Sequence, residues 1–286
     1  MTPTRDAATV LALRQGDDSL QVYMVRRDSR MGFLGGAHVF PGGAVDEGDC
    51  TGSMHALMIG CERVADAGKL HDDEARARGL LVAAARELFE EAGILLARDS
   101  TGELIDLDSD SERTRRMSAT RATLGAGNGD FAAMLRDEEL QLDVGGLRFF
   151  AHWITPEREK KRFDTRFFLA RAPERQSATH CAIESTAGEW LAPAEALSRY
   201  RARQIELVPP TIASLERLSA YATVETALAA FECCEIPTIL PKILVGGDEI
   251  SILYPGDDDY ETGEVRPPCG QTLNRLVLRD GLWSRP

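Results

Sequence analysis

One stretch, residues 79–94, constrains the fold of this chain more than any other. Small and aliphatic side chains recur in it at helical spacing, so one side of a helix can lie against a hydrophobic core. These side chains are Leu81, Ala84, Ala85, Leu88 and Ala92. Gly93 follows directly, and glycine is the residue that most often ends a helix. The sequence therefore predicts a helix that packs on the core and ends at Gly93.

Three glutamates lie on one side of the same predicted helix. Glu87, Glu90 and Glu91 are spaced i, i+3 and i+4, and like charges at this spacing repel one another and destabilise the helix. A bound cation would offset the repulsion, and hard divalent cations such as Mg²⁺ take carboxylate oxygens as ligands. Taken alone, the three glutamates are equally typical of a solvated helix face. The neighbouring sequence distinguishes the two interpretations.

That neighbouring sequence resembles the signature of the Nudix hydrolase superfamily, G-x5-E-x7-R-E-U-x-E-E-x-G-U, in which U is a bulky aliphatic residue. The second half of the signature is present as Arg86-Glu87-Leu88-Phe89-Glu90-Glu91-Ala92-Gly93-Ile94. Upstream, Phe40-Pro41-Gly42-Gly43 resembles the strand-to-loop entry of the family, with Gly43 as the first glycine of the signature. The resemblance favours the metal-site interpretation of the glutamates.

The motif departs from the family pattern in two places. Asp49 stands where the family usually has glutamate, and 36 residues (positions 50–85) separate it from Arg86 where the signature has seven, so the motif is split by 29 extra residues. Such a split resembles the peroxisomal coenzyme A diphosphatase branch and its bacterial relatives. Because the cost of closing a loop grows only logarithmically with its length, Asp49 and Arg86 can still meet, and we expect the insertion to be an independent flap.

The resemblance implies an α/β fold, namely a Nudix α/β/α sandwich with a mixed sheet, helical insertions and a C-terminal extension of helices and a β-hairpin. We expect residues 1–200 to form the Nudix domain, with the insertion at 50–78 and a helical elaboration at 108–140. Residues 201–286 are expected to form an extension that packs on the same domain.

The periodicity of apolar residues predicts the individual elements. Strands are expected at residues 7–13, 20–26, 37–40, 147–154, 163–170 and 180–191, with further hairpin strands in 239–254 and 273–282. Helices are expected at 54–67, 111–124, 130–135, 194–205, 210–218 and 220–233. The acidic run Asp257-Asp258-Asp259 is typical of a solvated loop, since the spacing of a calcium-binding loop is absent.

The family resemblance also implies the chemistry, which is metal-dependent hydrolysis of a diphosphate bond with Mg²⁺ or Mn²⁺ as cofactor. Metal ions held by clustered carboxylates neutralise the phosphates and acidify a bound water. The implied metal ligands are Glu87, Glu90, Glu91 and a main-chain carbonyl at Gly42 or Gly43. The predicted catalytic site also contains Arg86, which is better placed to orient Glu90, four residues on, than to bind substrate.

The identity of the general base stays open at this point. In the family it is a glutamate of the motif or a distal one, and the distal candidates are Glu184 and Glu189. The alternative for both is that they are surface charges on an edge strand.

The substrate implied by the resemblance is coenzyme A or an acyl-CoA, which would give 3′,5′-ADP and a phosphopantetheine. A turn rich in positive charge could read the 3′-phosphate, and its candidate substrate-binding residues are Lys160, Lys161, Arg162 and Arg166. These cations could equally pair with acidic neighbours on a solvated turn. Alternative functions are a diphosphatase for ADP-ribose, dinucleotides or nucleotide sugars, and a non-catalytic nucleotide sensor, which loss of the motif carboxylates would favour.

Composition limits the partners. A net charge of −13 argues against nucleic acid, because phosphate-tracking proteins need a basic face. No apolar run approaches a membrane span and the N-terminus lacks the apolar core of a signal peptide, so we expect a cytoplasmic protein, in which a homodimer is an open alternative. Six cysteines form no tight framework, and Cys50, His55, Cys61 and His71 have spacings that fit no common zinc site.

Overall fold

The computed structural model describes residues 2–30, 34–64, 70–232, 234–246, 249–262 and 274–286. Its strands are β1 (Arg5–Gln15), β2 (Leu20–Arg27), β3 (His38–Val39), β4 (Gly42–Ala44), β5 (Met58–Ile59), β6 (Ala97–Arg98), β7 (Gln141–Asp143), β8 (Arg148–Ile154), β9 (Phe163–Arg171), β10 (Ser185–Leu191), β11 (Thr238–Ile239), β12 (Lys242–Gly246), β13 (Glu249–Leu253), β14 (Arg275–Arg279) and β15 (Leu282–Ser284). Its α-helices are α1 (Gly52–His55), α2 (Glu74–Ala92), α3 (Glu112–Gly125), α4 (Phe131–Asp137), α5 (Pro193–Arg201), α6 (Pro209–Leu218) and α7 (Val224–Ala230).

A mixed sheet lies at the centre of the protein. Its strand order is β10-β2-β1-β9-β8-β11, with β3 paired to β2 and β4 paired to β1. Strand β1 runs parallel to β9 and antiparallel to β2 and β4. Both faces of β1 are apolar, because Val10 and Ala12 pack into one core while Leu11 and Leu13 pack into the other. The sheet is therefore covered on both sides.

The two covering layers differ in composition. Helices α2, α3 and α4 contribute side chains such as Leu88, Met117 and Phe131 to the first core. Helices α5, α6 and α7 form the second core together with a C-terminal sheet of order β12-β13-β14-β15, which contributes Ile252 and Leu276. This arrangement is the α/β/α sandwich with a mixed sheet that was predicted, and the fold class is confirmed.

Helix α2 begins earlier than the apolar periodicity indicates. The side chain of Asp73 accepts a hydrogen bond from the Arg76 N–H and caps the helix, so the charged residues 74–78 form its first turn. Its end is the predicted one, since Gly93 has a φ of 70° in the left-handed region that favours glycine. The N-terminal turn was missed because charge there conceals the helical period.

The expectation of an independent flap at residues 50–78 is wrong. Met54, Val64 and Leu70 are buried in the first core, and β5 of the insertion pairs in parallel with β7, which also pairs with β6. The predicted helix over 54–67 is also wrong in its described part. There the chain forms the short α1, β5 and a 3-10 turn at Cys61–Arg63, because Gly60 takes a left-handed φ of 80° that interrupts any helix. Residues 65–67 lie outside the described residues.

Most other elements lie close to their predicted positions. Among the predicted elements, the largest differences are at β10, which begins at Ser185 rather than at 180, at α5, which ends at Arg201 rather than at 205, and at α7, which begins at Val224 rather than at 220 because the side chain of Thr223 caps it. Positions 31–33, 233, 247–248 and 273 of the predicted elements and loops lie outside the described residues. Within the described part of the chain, no helix combines the length and the apolar character needed to cross a membrane.

Candidate active site

The two halves of the split motif meet through one ion pair. Arg86 Nε lies 2.9 Å from Asp49 Oδ1, and Arg86 Nη2 lies 3.0 Å from Asp49 Oδ2. Both residues are buried, and the Asp46 N–H also donates to Asp49 Oδ2 at 2.9 Å. A two-pronged contact of this kind fixes orientation as well as distance. Aspartate therefore makes the contact to Arg86 at this position in spite of its shorter side chain.

Arg86 also orients two of the three helix glutamates. Its Nη1 donates to Glu87 Oε1 at 2.9 Å and to Glu90 Oε1 at 3.1 Å, and its Nη2 donates to the Ala44 carbonyl at 3.0 Å. The contact with Glu90 is the one expected from their spacing. Its hydrogen bonds thus run to groups of the protein, and its side chain is only 8% exposed.

Strand β4 brings two glycines, Gly42 and Gly43, against the glutamates of helix α2. The Gly42 N–H donates to Glu91 Oε2 at 3.1 Å. A Cβ on Gly43 would lie 2.3 Å from Glu87 Oε1, and a Cβ on Gly42 would lie 2.5 Å from the Ala8 carbonyl oxygen. No other residue fits at either position without displacing its neighbours. The backbone of Gly42 and Gly43 is thus in contact with the glutamate cluster, which comprises Glu87, Glu90 and Glu91.

The glutamate cluster is short of positive charge. The pKa of Glu87 is raised to about 7, chiefly by burial and in smaller part by the charges of Glu90 and Glu184, while Arg86 opposes the shift. Burial likewise raises the pKa of Glu90, again against the effect of Arg86. For Glu91, burial and then the charges of Glu87 and Glu184 place the pKa well above its ordinary value. One arginine therefore does not neutralise the cluster.

This donor set fits a hard divalent cation, because clustered carboxylates with raised pKa values are stabilised as anions by a bound metal. Across the residues that the structure describes, no three His, Cys, Asp or Glu side chains stand in metal-ligand geometry, and Glu87 and Glu90 instead share Nη1 of Arg86. In the insertion, Cys50 and Cys61 are free cysteines, and the two histidines are engaged elsewhere. His55 Nε2 lies 3.0 Å from the Asp49 carbonyl, and His71 Nδ1 accepts from the Asp73 N–H at 2.9 Å.

The two distal glutamates occupy different surroundings. Glu184 lies in the turn before β10, and its negative charge raises the pKa of both Glu87 and Glu91. Glu189, within β10, is held by Arg199 through contacts of 2.7 and 3.2 Å. The structure therefore brings Glu184 to the glutamate cluster and leaves Glu189 in a separate ion pair.

Two cavities meet at the glutamate cluster, and Glu87 and Glu184 line both of them. The first, which we name the substrate cavity, has a volume of about 740 Å³ and extends past Gly42 and Gly43 toward the C-terminal sheet. The second has a volume of about 860 Å³ and lies between the start of the insertion and the loop that joins α3 to α4. A substrate with two halves joined at a diphosphate can thus place its bond at the carboxylates.

The four predicted substrate-binding cations do not line either cavity. Arg162 is buried and donates to the main-chain carbonyls of Thr155 and Thr2, and Arg166 is buried against Asp164. Lys160 and Lys161 are exposed on the turn between β8 and β9. These contacts engage Arg162 and Arg166 within the turn and the sheet, so the structure does not bring either residue to the cavities.

Two arginines that the sequence reasoning missed do line the substrate cavity. They are Arg5 and Arg27. Arg27 Nε is buried and has no hydrogen-bond partner among the described residues, and the positive charge of Arg27 lowers the pKa of Glu91. The alternation of side chains along strand β2 indicates the position of Arg27. Tyr23 and Val25 face α2 from this strand, and Arg27 continues the same spacing.

Comparison with known proteins finds relatives both in sequence and in structure. The family model described as the NUDT19 Nudix domain matches residues 62–218. The chain is 26% identical to the acyl-coenzyme A diphosphatase NUDT19 of Xenopus laevis (93% of this chain, 80% of that protein), 28% to that of Gallus gallus (88% and 77%) and 25% to that of Homo sapiens (85% and 73%). The crystal structure of a NUDIX hydrolase from Alicyclobacillus acidocaldarius is similar with a TM-score of 0.68 and 32% identity, over 80% of this chain and 97% of that one.

Proposed function

This chain belongs to the Nudix hydrolase family and carries its NUDT19-type domain, and from that premise we propose that it hydrolyses the diphosphate bond of coenzyme A or an acyl-CoA. The products are 3′,5′-ADP and phosphopantetheine or its acyl derivative. The observation that carries the proposal is the glutamate cluster at the junction of two cavities, oriented by Arg86 across the split motif. The choice of substrate is supported by the relatives named as acyl-CoA diphosphatases.

Glu87, Glu90, Glu91 and the main chain at Gly42 and Gly43 would hold Mg²⁺ or Mn²⁺. When bound, such a cation neutralises phosphate oxygens and lowers the pKa of a coordinated water. Arg86 keeps Glu87 and Glu90 in place from inside the fold. Without Arg86, both carboxylates would be free to change rotamer.

We assign Glu184 as the general base, because it lines both cavities beside the glutamate cluster while Glu189 is occupied by Arg199. Its carboxylate accepts a proton from the attacking water as the water oxygen bonds to phosphorus. The bond from that phosphorus to the bridging oxygen then breaks, and the second phosphate leaves with the bridging oxygen. Glu184 is placed for this role only in the folded protein, since 93 residues beyond Glu91 in the chain it has no local relation to the helix.

Arg27 and Arg5 are our candidates for contacts to the phosphates. Both line the substrate cavity, and a guanidinium donates charge-assisted hydrogen bonds to phosphate oxygens. In an acidic chain of net charge −13, such local positive charge offsets the repulsion of a polyanionic substrate. The role of Lys160 and Lys161 as ligands of the 3′-phosphate stays a prediction. A cytoplasmic location and a homodimer also stay predictions.

A substrate panel tests the proposal. Purified protein with Mg²⁺ or Mn²⁺ is offered CoA, an acyl-CoA, ADP-ribose, NADH and diadenosine polyphosphates, and the products are separated by chromatography. We expect 3′,5′-ADP from CoA and acyl-CoA at the highest kcat/KM, and loss of activity in EDTA. Preference for ADP-ribose or a dinucleotide would contradict the choice of substrate.

A matched variant identifies the site within the same assay. Glu91→Gln keeps the shape of the buried side chain and removes its charge, so kcat should fall on the order of 10²-fold or more while the thermal midpoint stays at or above that of the wild type. Activity in EDTA, or full activity of Glu91→Gln, would rule out the assigned metal site. Hydrolysis of none of the compounds by the wild type would instead leave a nucleotide-binding sensor as the alternative.

A further inference from the structure

The far end of the substrate cavity is formed by the C-terminal sheet. Pro241, Ile243 and Ile252 line the cavity together with residues of the central sheet. Ile243 on β12 and Ile252 on β13 are directly opposite partners in the antiparallel register, so they present one apolar pair on the same face. This wall lies outside residues 62–218, the range that the family model matches.

The C-terminal wall is fixed in place by its contacts with the central sheet. The ring of Tyr254, two residues beyond Ile252 on the same face of the chain, meets Trp153 of β8 edge to face with centroids 5.3 Å apart. Trp153 also lines the cavity, and both Tyr254 and Ile252 belong to the second core. The wall is therefore part of a packed interior rather than a movable cover.

The apolar side chains at this end of the cavity determine which part of a CoA derivative can bind there. Val208, Pro209 and Pro210 line the same cavity as Ile243 and Ile252, and none of these five side chains has a hydrogen-bonding group, while Thr211 of the same segment adds one hydroxyl. Burying the adenine edge, the ribose or a phosphate there would leave polar groups without partners, which costs free energy. An alkyl chain needs no partners, and each methylene buried from water improves binding roughly threefold to fourfold.

Resting on the proposed function, we propose that this end of the substrate cavity is the subsite for the acyl chain of an acyl-CoA, and that Ile243 and Ile252 set the chain length that it accepts. The diphosphate lies at the other end of the same cavity, beside Glu87 and Glu184. The Nudix domain thus supplies the reaction, and the C-terminal extension supplies selectivity for the acyl group.

Chain-length profiles of two variants test the subsite. The kcat/KM values for CoA, octanoyl-CoA and dodecanoyl-CoA are measured below the concentrations at which the acyl-CoAs form micelles. For the wild type, kcat/KM should rise with chain length. Ile243→Trp fills the subsite and should lower kcat/KM for dodecanoyl-CoA at least about tenfold more than it lowers kcat/KM for CoA, equivalent to losing the burial of two methylenes.

Two further variants keep the test decisive. Val245→Trp places the same ring on the same strand at a position that is 66% exposed and does not line the cavity, so the profile should not change. Ile252→Ala enlarges the subsite and should move the preference toward longer chains, which provides a second readout if Ile243→Trp does not fold. Circular dichroism identifies the folded variants.

The outcomes separate this inference from the proposed function. Hydrolysis of CoA without any dependence on chain length, or an equal loss for CoA and dodecanoyl-CoA in folded Ile243→Trp, would overturn the acyl subsite and leave the CoA diphosphatase proposal standing. Failure of the wild type to hydrolyse CoA and every acyl-CoA would overturn both. A loss confined to the long chains, absent in Val245→Trp, supports the subsite.

Discussion

At the scale of single residues, the candidate site is organised by one buried arginine among an excess of carboxylates. Arg86 contacts Asp49, Glu87 and Glu90, so one guanidinium joins both halves of the split motif. Burial of these groups leaves the pKa of Glu87 and Glu91 raised, which shows that the protein alone does not compensate their charge. Metal binding would explain why the protein keeps the glutamate cluster, which is unfavourable without a cation.

The assignment of the general base is testable with a pair of equal substitutions. Glu184→Gln should lower kcat on the order of 10² to 10³-fold with little change in KM, because it removes the proton acceptor and preserves the shape of the cavity. Glu189→Gln removes an ion pair with Arg199 that lies apart from the glutamate cluster, so kcat should stay within about twofold. Equal activity of the two variants would exclude Glu184 as the base.

At the scale of elements, the insertion is part of the core on which α2 packs. Leu70 and Met54 are almost completely buried in the cluster that contains the apolar face of α2. The α2 side chains therefore pack partly on residues of the insertion that splits the motif. The position of the glutamates depends on this packing, since α2 carries all three.

Single substitutions distinguish an anchored insertion from a flap. Leu70→Ala should lower the free energy of unfolding by about 2 to 5 kcal/mol, because it leaves a cavity in a fully buried position. Ser53→Ala lies on an exposed position of α1 and should change it by less than about 0.5 kcal/mol. Denaturant titration measures both. If Leu70→Ala lowers the free energy of unfolding by less than about 1 kcal/mol, the insertion is an independent flap.

At the scale of the whole molecule, the C-terminal sheet is joined to the rest through a shared core and held together by a buried ion pair. Asp257 and Asp259, expected on a solvated loop, are instead buried against Arg275, with Arg275 Nε 2.7 Å from Asp257 Oδ2 and Nη2 2.8 Å from Asp259 Oδ2. Burial alone would raise the pKa of Asp257, but hydrogen bonds from Arg275 and the backbone outweigh it and lower that pKa.

The sign of this shift predicts a pH-dependent contribution to stability. Because the pKa of Asp257 is lower in the folded state, its contribution is present above the unfolded value of about 4 and is lost as pH falls through the folded value. Asp257→Asn should therefore destabilise by about 3 kcal/mol at pH 7 and by less as the pH falls below about 4. Glu249→Gln, which breaks an exposed pair with Arg279, should cost under about 1 kcal/mol.

The same unfolding measurement shows whether the C-terminal extension and the Nudix domain unfold together. Ile252, Tyr254 and Leu276 share the second core with α5, α6 and α7. Tryptophan fluorescence and far-ultraviolet circular dichroism should then give one coincident transition, which Asp257→Asn shifts as a whole. Two separated transitions would contradict the packing of the C-terminal extension on the Nudix domain.

The sequence by itself determined the features that depend on spacing along the chain. Helix α2, its end at Gly93 and the grouping of Glu87, Glu90 and Glu91 follow from the helical period, and the main strands follow from alternation and β-branched or aromatic content. The family resemblance carried the fold class, because the motif remains recognisable even when split. These features are local, so each is specified by neighbours within a few residues.

Tertiary structure alone decided which distant groups meet. The contact of Asp49 with Arg86 and the choice between Glu184 and Glu189 depend on how β4, β2 and β10 pair around β1. Likewise, the burial of Asp257 and Leu70 depends on what packs over them. Polar and short apolar segments carry no periodic signal for such contacts, because the energy that fixes them comes from desolvation and pairing across long chain separations.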